Sequence, residues 1–212
     1  MGWIASLWQR PRRRPDEPLE AVRHRGFIAI DLETTGLDPR RDRIVSLAAI
    51  KFVGDEAVPT LVTLVNPGRP IPASATRIHG IDAAMVADAP SEESVVGRLD
   101  AICAGQVIVG HGVAFDAAVM ARARGRAIAT PAPLAILCTQ RLTASLYPAW
   151  NDLSLEMVSD ALGMSITGRH TAEGDAVAAG RLLIALLPRL QARGIRTLAE
   201  ALWLQDSGTI RM

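Results

Sequence analysis

Phe27-Ile28-Ala29-Ile30-Asp31-Leu32-Glu33-Thr34-Thr35-Gly36-Leu37 is the stretch on which the reading of the chain turns. Four apolar residues run into an Asp, a Glu follows two positions on, and Thr-Thr-Gly breaks the run. A short apolar segment stopped by glycine has the pattern of a buried strand. Residues i and i+2 of a strand share a face, so Asp31 and Glu33 place two carboxylates side by side at the strand's end. Such like charges repel, and burying them unpaired is costly. A divalent cation would turn the repulsion into a site with hard oxygen ligands.

Outward from this strand, the turn at Asp38–Asp42 leads to a second apolar run, Ile44 to Phe52. A third, Leu61 to Val65, follows the Gly54-Asp55 turn. Three strands on short turns predict an antiparallel meander. A short helix is expected around Ser74–Ile78, before His79-Gly80-Ile81. Helical periodicity then covers Ser91 to Ala104, Val113 to Arg124, Ser154 to Leu162 and Thr171 to Leu187, with a further helix over 195–204. Short apolar runs at Gln106–Val109 and Leu134–Cys138 supply two more strands. A meander followed by alternating helices and strands predicts an α/β fold: a mixed five-stranded sheet with helices on its faces.

The 212 residues suit one sizeable domain, and 49% hydrophobic content is ample for a core. Net charge is +1 but uneven: residues 1–25 hold six arginines against three acids, a net +3, which leaves −2 on the rest. The body is therefore no broad electrostatic trap for duplex nucleic acid. Residues 1–25, punctuated by Pro11, Pro15 and Pro18, read as an Arg/Pro-rich arm and linker. Residues 26–190 read as the domain proper and 191–212 as a C-terminal helix or tail. Cys103 and Cys138 sit among apolar neighbours and lack zinc-ligand spacing, so reduced thiols are expected. The first nine residues are too short to span a bilayer, and their charge follows the apolar run where a signal peptide's precedes it. A cytoplasmic protein is the expectation.

Three further places set polar groups in apolar context. Val109-Gly110-His111-Gly112-Val113-Ala114-Phe115-Asp116 ends a strand and puts Asp116 in the first turn of a helix, where the helix dipole favours a carboxylate. Arg169-His170-Thr171-Ala172-Glu173-Gly174-Asp175 puts Asp175 inside an apolar-periodic helix, where an unpaired acid would be expensive. His79 precedes a glycine turn, a position where a lone histidine is more often structural than functional. Taken singly, none is specific; the ordered set is.

That set, Asp31-x-Glu33-Thr34-Thr35-Gly36, then His111-x-x-x-Phe115-Asp116, then His170-x-x-x-x-Asp175, resembles the DEDDh family of 3′–5′ exonucleases. The family includes the proofreading subunit of bacterial replicative DNA polymerase and ribonuclease T. The resemblance covers roughly residues 26–187 and extends to His79-Gly80-Ile81 and Leu153-Ser154-Leu155. Two positions depart from the usual pattern: Gly112 stands where Asn is common, and Cys138 where Asp is common before the Thr. A related subfamily has Tyr four residues before the last Asp; Thr171 stands there, which favours the His variety.

The resemblance implies a ribonuclease H-like fold and two divalent cations, Mg²⁺ or Mn²⁺, held by Asp31, Glu33, Asp116 and Asp175, with His170 as general base. It implies that Thr34, Thr35, Gly36, Leu37, His79 and Phe115 contact the terminal nucleotide. The expected reaction releases nucleoside 5′-monophosphates from 3′ ends, single-stranded DNA being favoured over short or structured RNA, in a proofreading or DNA-repair setting. A DNA polymerase or a second copy of the chain is the further partner it allows. The reading of a different class is a non-catalytic module that binds nucleic-acid ends beside a polymerase.

Overall fold

The computed structural model describes residues 16–125 and 133–207. The opening stretch is the middle strand of its sheet. β1 (Phe27–Thr34) pairs antiparallel with β2 (Ile44–Val53), and β2 pairs antiparallel with β3 (Glu56–Leu64). On its other side β1 pairs in parallel with β4 (Val107–Gly110), which pairs in parallel with β5 (Ala135–Cys138). The order is β3-β2-β1-β4-β5: an antiparallel meander extended by parallel strands, as expected.

The two edges of the sheet are finished differently. β3 begins at Glu56, five residues before the expected Leu61, because an edge strand has little apolar surface to signal it. Pro59 lies within it, opposite Ile50 beside the irregularity at Ala49/Ile50, where a missing N–H is tolerated. At the other edge, Gln205 closes β5. Its Oε1 accepts from the Cys138 N–H at 2.9 Å and its Nε2 donates to the Ile136 carbonyl at 3.0 Å.

The helices, in chain order, are α1 (Leu19–Arg25), α2 (Ala73–His79), α3 (Ala83–Val86), α4 (Glu92–Cys103), α5 (Ala114–Arg124), α6 (Thr139–Leu146), α7 (Leu155–Ala161), α8 (Ala172–Ala192) and α9 (Leu198–Ser207). Strand alternation sorts the core into two faces. Phe27 and Ala29 join Ala48, Ile50, Phe52, Val107 and Val109 beneath the apolar side of α8. Ile28, Ile30 and Leu32 point the other way, against Val95, Val96 and Leu99 of α4 and Val119 and Met120 of α5. Helices therefore cover both faces. Among the described residues no helix is long and apolar enough to cross a membrane.

The expected arm and linker over 1–25 needs correction in its described part, residues 16–25. Leu19 and Val22 are buried, and α1 packs into the same core as α8. Its entry is clasped to the C-terminal segment: the Leu19 N–H donates to the Arg196 carbonyl at 2.8 Å, and the Leu198 N–H to the Glu17 carbonyl at 2.9 Å. The remainder of the expected arm, residues 1–15, lies outside the described residues. The long helix also runs past its expected end at Leu187. Pro188 removes one internal hydrogen bond, but buried Leu186, Leu187 and Leu190 hold the last turns on the core.

Candidate active site

Asp31 and Glu33 continue the odd-numbered register of Phe27 and Ala29, so they point toward the α8 side of the sheet. α8 presents Asp175 there from its first turn. The height of that turn is fixed locally. Thr171 caps the helix, its Oγ1 accepting from the Gly174 N–H at 3.1 Å and donating to the Gly168 carbonyl at 2.6 Å. Gly174 is required: a Cβ there would stand 2.1 Å from the Gly168 oxygen. The carboxylate oxygens of Asp31, Glu33 and Asp175 converge to within 4.8 Å of one another. Asp116, buried in the first turn of α5, is not one of this trio but lies close enough to Asp31 to act on its charge.

The electrostatics record a site with too much negative charge. Burial, then Asp116, Asp175 and Glu33, push Asp31 well above the usual carboxylate range. Burial, followed by Asp175, pushes Glu33 to about 7. Burial likewise pushes Asp116 to about 7, against the lowering effect of nearby backbone N–H groups, including that of Leu32. Asp175 is raised by burial, and Arg169 is the largest influence opposing it. One Asp175 oxygen, Oδ2, takes the Arg169 guanidinium; the other, Oδ1, is buried with no hydrogen-bond partner.

This donor set fits a divalent cation. It is all oxygen, converging, and penalised by its own repulsion, which suits Mg²⁺ or Mn²⁺ and gives no soft ligand for zinc. Cys103 belongs instead to the opposite-face core, its thiol pushed up to about 12 by burial.

His170 reaches this region from the loop before α8. Its backbone is left-handed, φ 61°, in a chain where every other described positive φ belongs to glycine. Its ring is half exposed, with Nε2 3.9 Å from Glu156 Oε1.

The Thr34-Thr35-Gly36 turn is more self-contained than a nucleotide seat requires. The Thr34 hydroxyl donates to the Gly36 carbonyl at 2.6 Å. The Thr35 hydroxyl donates to Asp42 Oδ1 at 2.8 Å and accepts from the Arg43 N–H at 3.0 Å, while the Thr35 N–H goes to the Arg43 carbonyl at 2.8 Å. The hydroxyl protons of both threonines, which the resemblance would turn to the terminal nucleotide, are thus engaged in the turn. Gly36 is needed there, since its Cβ would lie 2.5 Å from the Asp42 carboxylate. Leu37, by contrast, is 88% exposed, and Phe115 is half-buried against the α4/α5 face of the core. His79 is buried at the end of α2; its Nδ1 accepts from the Ile81 N–H at 3.0 Å, which leaves the proton on Nε2, near the Thr34 carbonyl but without a full hydrogen bond.

Several participants escaped the sequence reading. Arg169 was visible only as the neighbour of His170, yet it is the cation on Asp175. Glu156 of α7 holds the far side of that guanidinium, 3.2 Å from Nε. His111, quoted within a motif, is a strut: its Nε2 donates to the Leu153 carbonyl at 2.7 Å and its Nδ1 lies 3.0 Å from Thr139 Oγ1. Gly112, at φ 73°, leaves room that the Gln140 amide borders, 3.7 Å from where a Cβ would be.

Comparison with known proteins gives the arrangement its class. Residues 28–183 match the RNase T family, described as exonuclease, and the chain belongs to that family. A DNA polymerase III subunit epsilon-like protein of Rhodobacter capsulatus is 41% identical over 184 residues, 83% of this chain and 26% of the relative. A PolC-type DNA polymerase III of Caldanaerobacter subterraneus is 31% identical, over 82% of this chain and 12% of the relative. The chain thus spans only a minor part of these two curated relatives. It spans more of DNA polymerase III subunit epsilon of Aquifex aeolicus, 30% identical over 77% of this chain and 81% of that protein. Exonuclease X, solved with 5′-overhanging duplex DNA, superposes with a TM-score of 0.62 at 25% identity, covering 83% of this chain and 97% of that one. Exonuclease I of E. coli, solved with a dT13 oligonucleotide, shares the fold with a TM-score of 0.67 at 21% identity, over 80% of this chain and 42% of that one. The chain thus carries the exonuclease domain of this family.

Proposed function

We propose that the chain is a metal-dependent 3′–5′ exonuclease that releases nucleoside 5′-monophosphates from single-stranded DNA ends. The observation that carries this reading is the convergence of Asp31, Glu33 and Asp175, with Asp116 beside them and one buried Asp175 oxygen left unpartnered. Asp31, Glu33, Asp116 and Asp175 would hold two divalent ions, Mg²⁺ or Mn²⁺. When bound, such ions neutralise charge on a scissile phosphate and make water more acidic.

The chain's own groups divide the remaining work. His170, half exposed on the loop beside Asp175, takes the proton from the attacking water. Leu37 stands free at the end of the turn that follows the carboxylates, where it can press on the terminal base. His79 Nε2–H is buried near the Thr34 carbonyl without a full hydrogen bond, and a terminal nucleotide can take it up. Phe115, half-buried and next to Asp116 in the first turn of α5, would add a contact to the terminal nucleotide. Thr34, Thr35 and Gly36 shape the floor, their ligand contacts limited by the hydrogen bonds they already make. Support for DNA comes from the relatives named as DNA polymerase III and from the DNA-bound exonuclease neighbours. The same relatives favour a DNA polymerase as the assembly partner. Residues 26–190 are the proposed catalytic unit, with α1 and α9 as its braces.

Matched DNA and RNA strands labelled at the 3′ end, incubated with Mg²⁺ and with chelator, test the assignment. Chelator-sensitive release of labelled mononucleotide from DNA is the expected result. Faster release from RNA would transfer the substrate to RNA, and binding without release would make the chain a non-catalytic module.

A further inference from the structure

Arg169 lies where a bound ion's charge is wanted. Its guanidinium pairs with Asp175 Oδ2 on one side, and on the other its Nε is 3.2 Å from Glu156 Oε1. Glu156 is half exposed on α7, outside the carboxylate trio, so the two acids hold the cation between the site and solvent. The loop aims it there: Gly168 and His170, the residues flanking Arg169, are both left-handed, with φ 72° and 61°. Arg169 is also the cation whose field reaches Asp31, Glu33 and Asp175 alike, in each case opposing the rise that burial and repulsion cause.

We infer that Arg169 is a phosphate-binding residue parked on Asp175, which it yields to a divalent cation before engaging the substrate. An ion that takes the free Oδ1 sets a second positive charge against a carboxylate that already carries the guanidinium, so ion and arginine compete for Asp175. Glu156 retains the released side chain on the solvent side through Nε. The exchange brings positive charge into the site while Arg169 stays near it. A phosphodiester or a terminal phosphate offsets that charge and matches the planar N–H fork of the guanidinium. The arginine thereby links ion loading to phosphate capture. This rests on the metal-dependent reading above, and the readouts below need no turnover.

The test is calorimetric titration of the chelator-treated, dialysed full chain with Mn²⁺ alone, and then with dTMP in saturating Mn²⁺. Arg169→Gln should bind Mn²⁺ at least about fivefold more tightly than wild type, because a competing charge beside the ligands is gone. The same variant should bind dTMP at least about fivefold more weakly, since a charge-assisted contact is lost. Glu156→Gln, at an exposed position that can be changed without disturbing the fold, should weaken Mn²⁺ binding by leaving Asp175 as the arginine's only ionic partner. Tighter Mn²⁺ binding combined with weaker dTMP binding in Arg169→Gln is the signature that a merely structural salt bridge would not give. Unchanged or weaker Mn²⁺ binding by Arg169→Gln, or unchanged dTMP binding, overturns the inference while leaving the metal-dependent reading intact. Wild-type protein that binds no Mn²⁺ overturns both.

Discussion

Gly180 of α8 passes the Phe52 ring of β2 so closely that a Cβ on the glycine would stand 2.2 Å from it. The ring cannot retreat, because Phe27 of β1 stacks against it with centroids 5.0 Å apart. This contact sets how near α8 lies to the sheet, and Asp175 is five residues earlier on the same helix. Gly180→Val should cost about 2 kcal/mol by overpacking, more than its gain in helix propensity returns. Urea unfolding measures the loss. Activity of the folded fraction should fall too, and unaltered activity would mean that α8 can shift without moving Asp175.

Asp31→Ala and Asp175→Ala should each abolish hydrolysis while the domain stays folded. Asp31→Asn carries a second expectation. In chelator at pH 8 it should melt above wild type, because it removes a buried charge raised by three neighbouring acids. A lower melting temperature would show that the carboxylate is needed for the fold itself.

Stability without metal should fall as pH rises. Glu33 and Asp116 move from ordinary values of 4.5 and 3.8 to about 7 in the folded protein. Groups raised in this way bind more protons folded than unfolded, so their stabilising effect is complete below about pH 4 and lost by about pH 7. Chemical denaturation across that window in chelator should show the decline. Saturating Mg²⁺ should flatten it by favouring the ionised acids, and a parallel decline with and without Mg²⁺ would argue against an ion at these carboxylates.

His170→Ala should lose at least about 10²-fold in rate, the usual scale for a missing general base. His170→Gly should lose as much activity without losing stability, since glycine relieves a left-handed backbone worth roughly 1–2 kcal/mol. A near-normal rate at pH 7 for either variant would remove His170 from the chemistry.

Much of this site was legible because it depends on periodicity. Asp31 and Glu33 share a face by the period of a strand, and Asp175 sits in an apolar-periodic helix. The sequence pattern had less to say where partners are distant or the signal is sparse. α6 was missed because its inward side, apart from Leu142 and Leu146, is made of Thr139 and Thr143. α1 was masked by Pro18 at its N-cap, although Leu19 and Val22 form a buried i, i+3 pair. The Thr35 hydroxyl was expected to face a ligand, but Asp42, seven residues on, claims it. The role of Arg169 depends on the direction of a short loop, which residue types alone do not specify.

The clasp between Glu17–Leu19 and Arg196–Leu198 has a geometric consequence. α8 begins beside the carboxylates and ends at Ala192, and 21 helical residues rise about 30 Å. The clasp joins the chain just beyond that far end. The clasp therefore braces the enzyme's frame from roughly a helix length away, so loosening it would reach the carboxylates only through α8 itself.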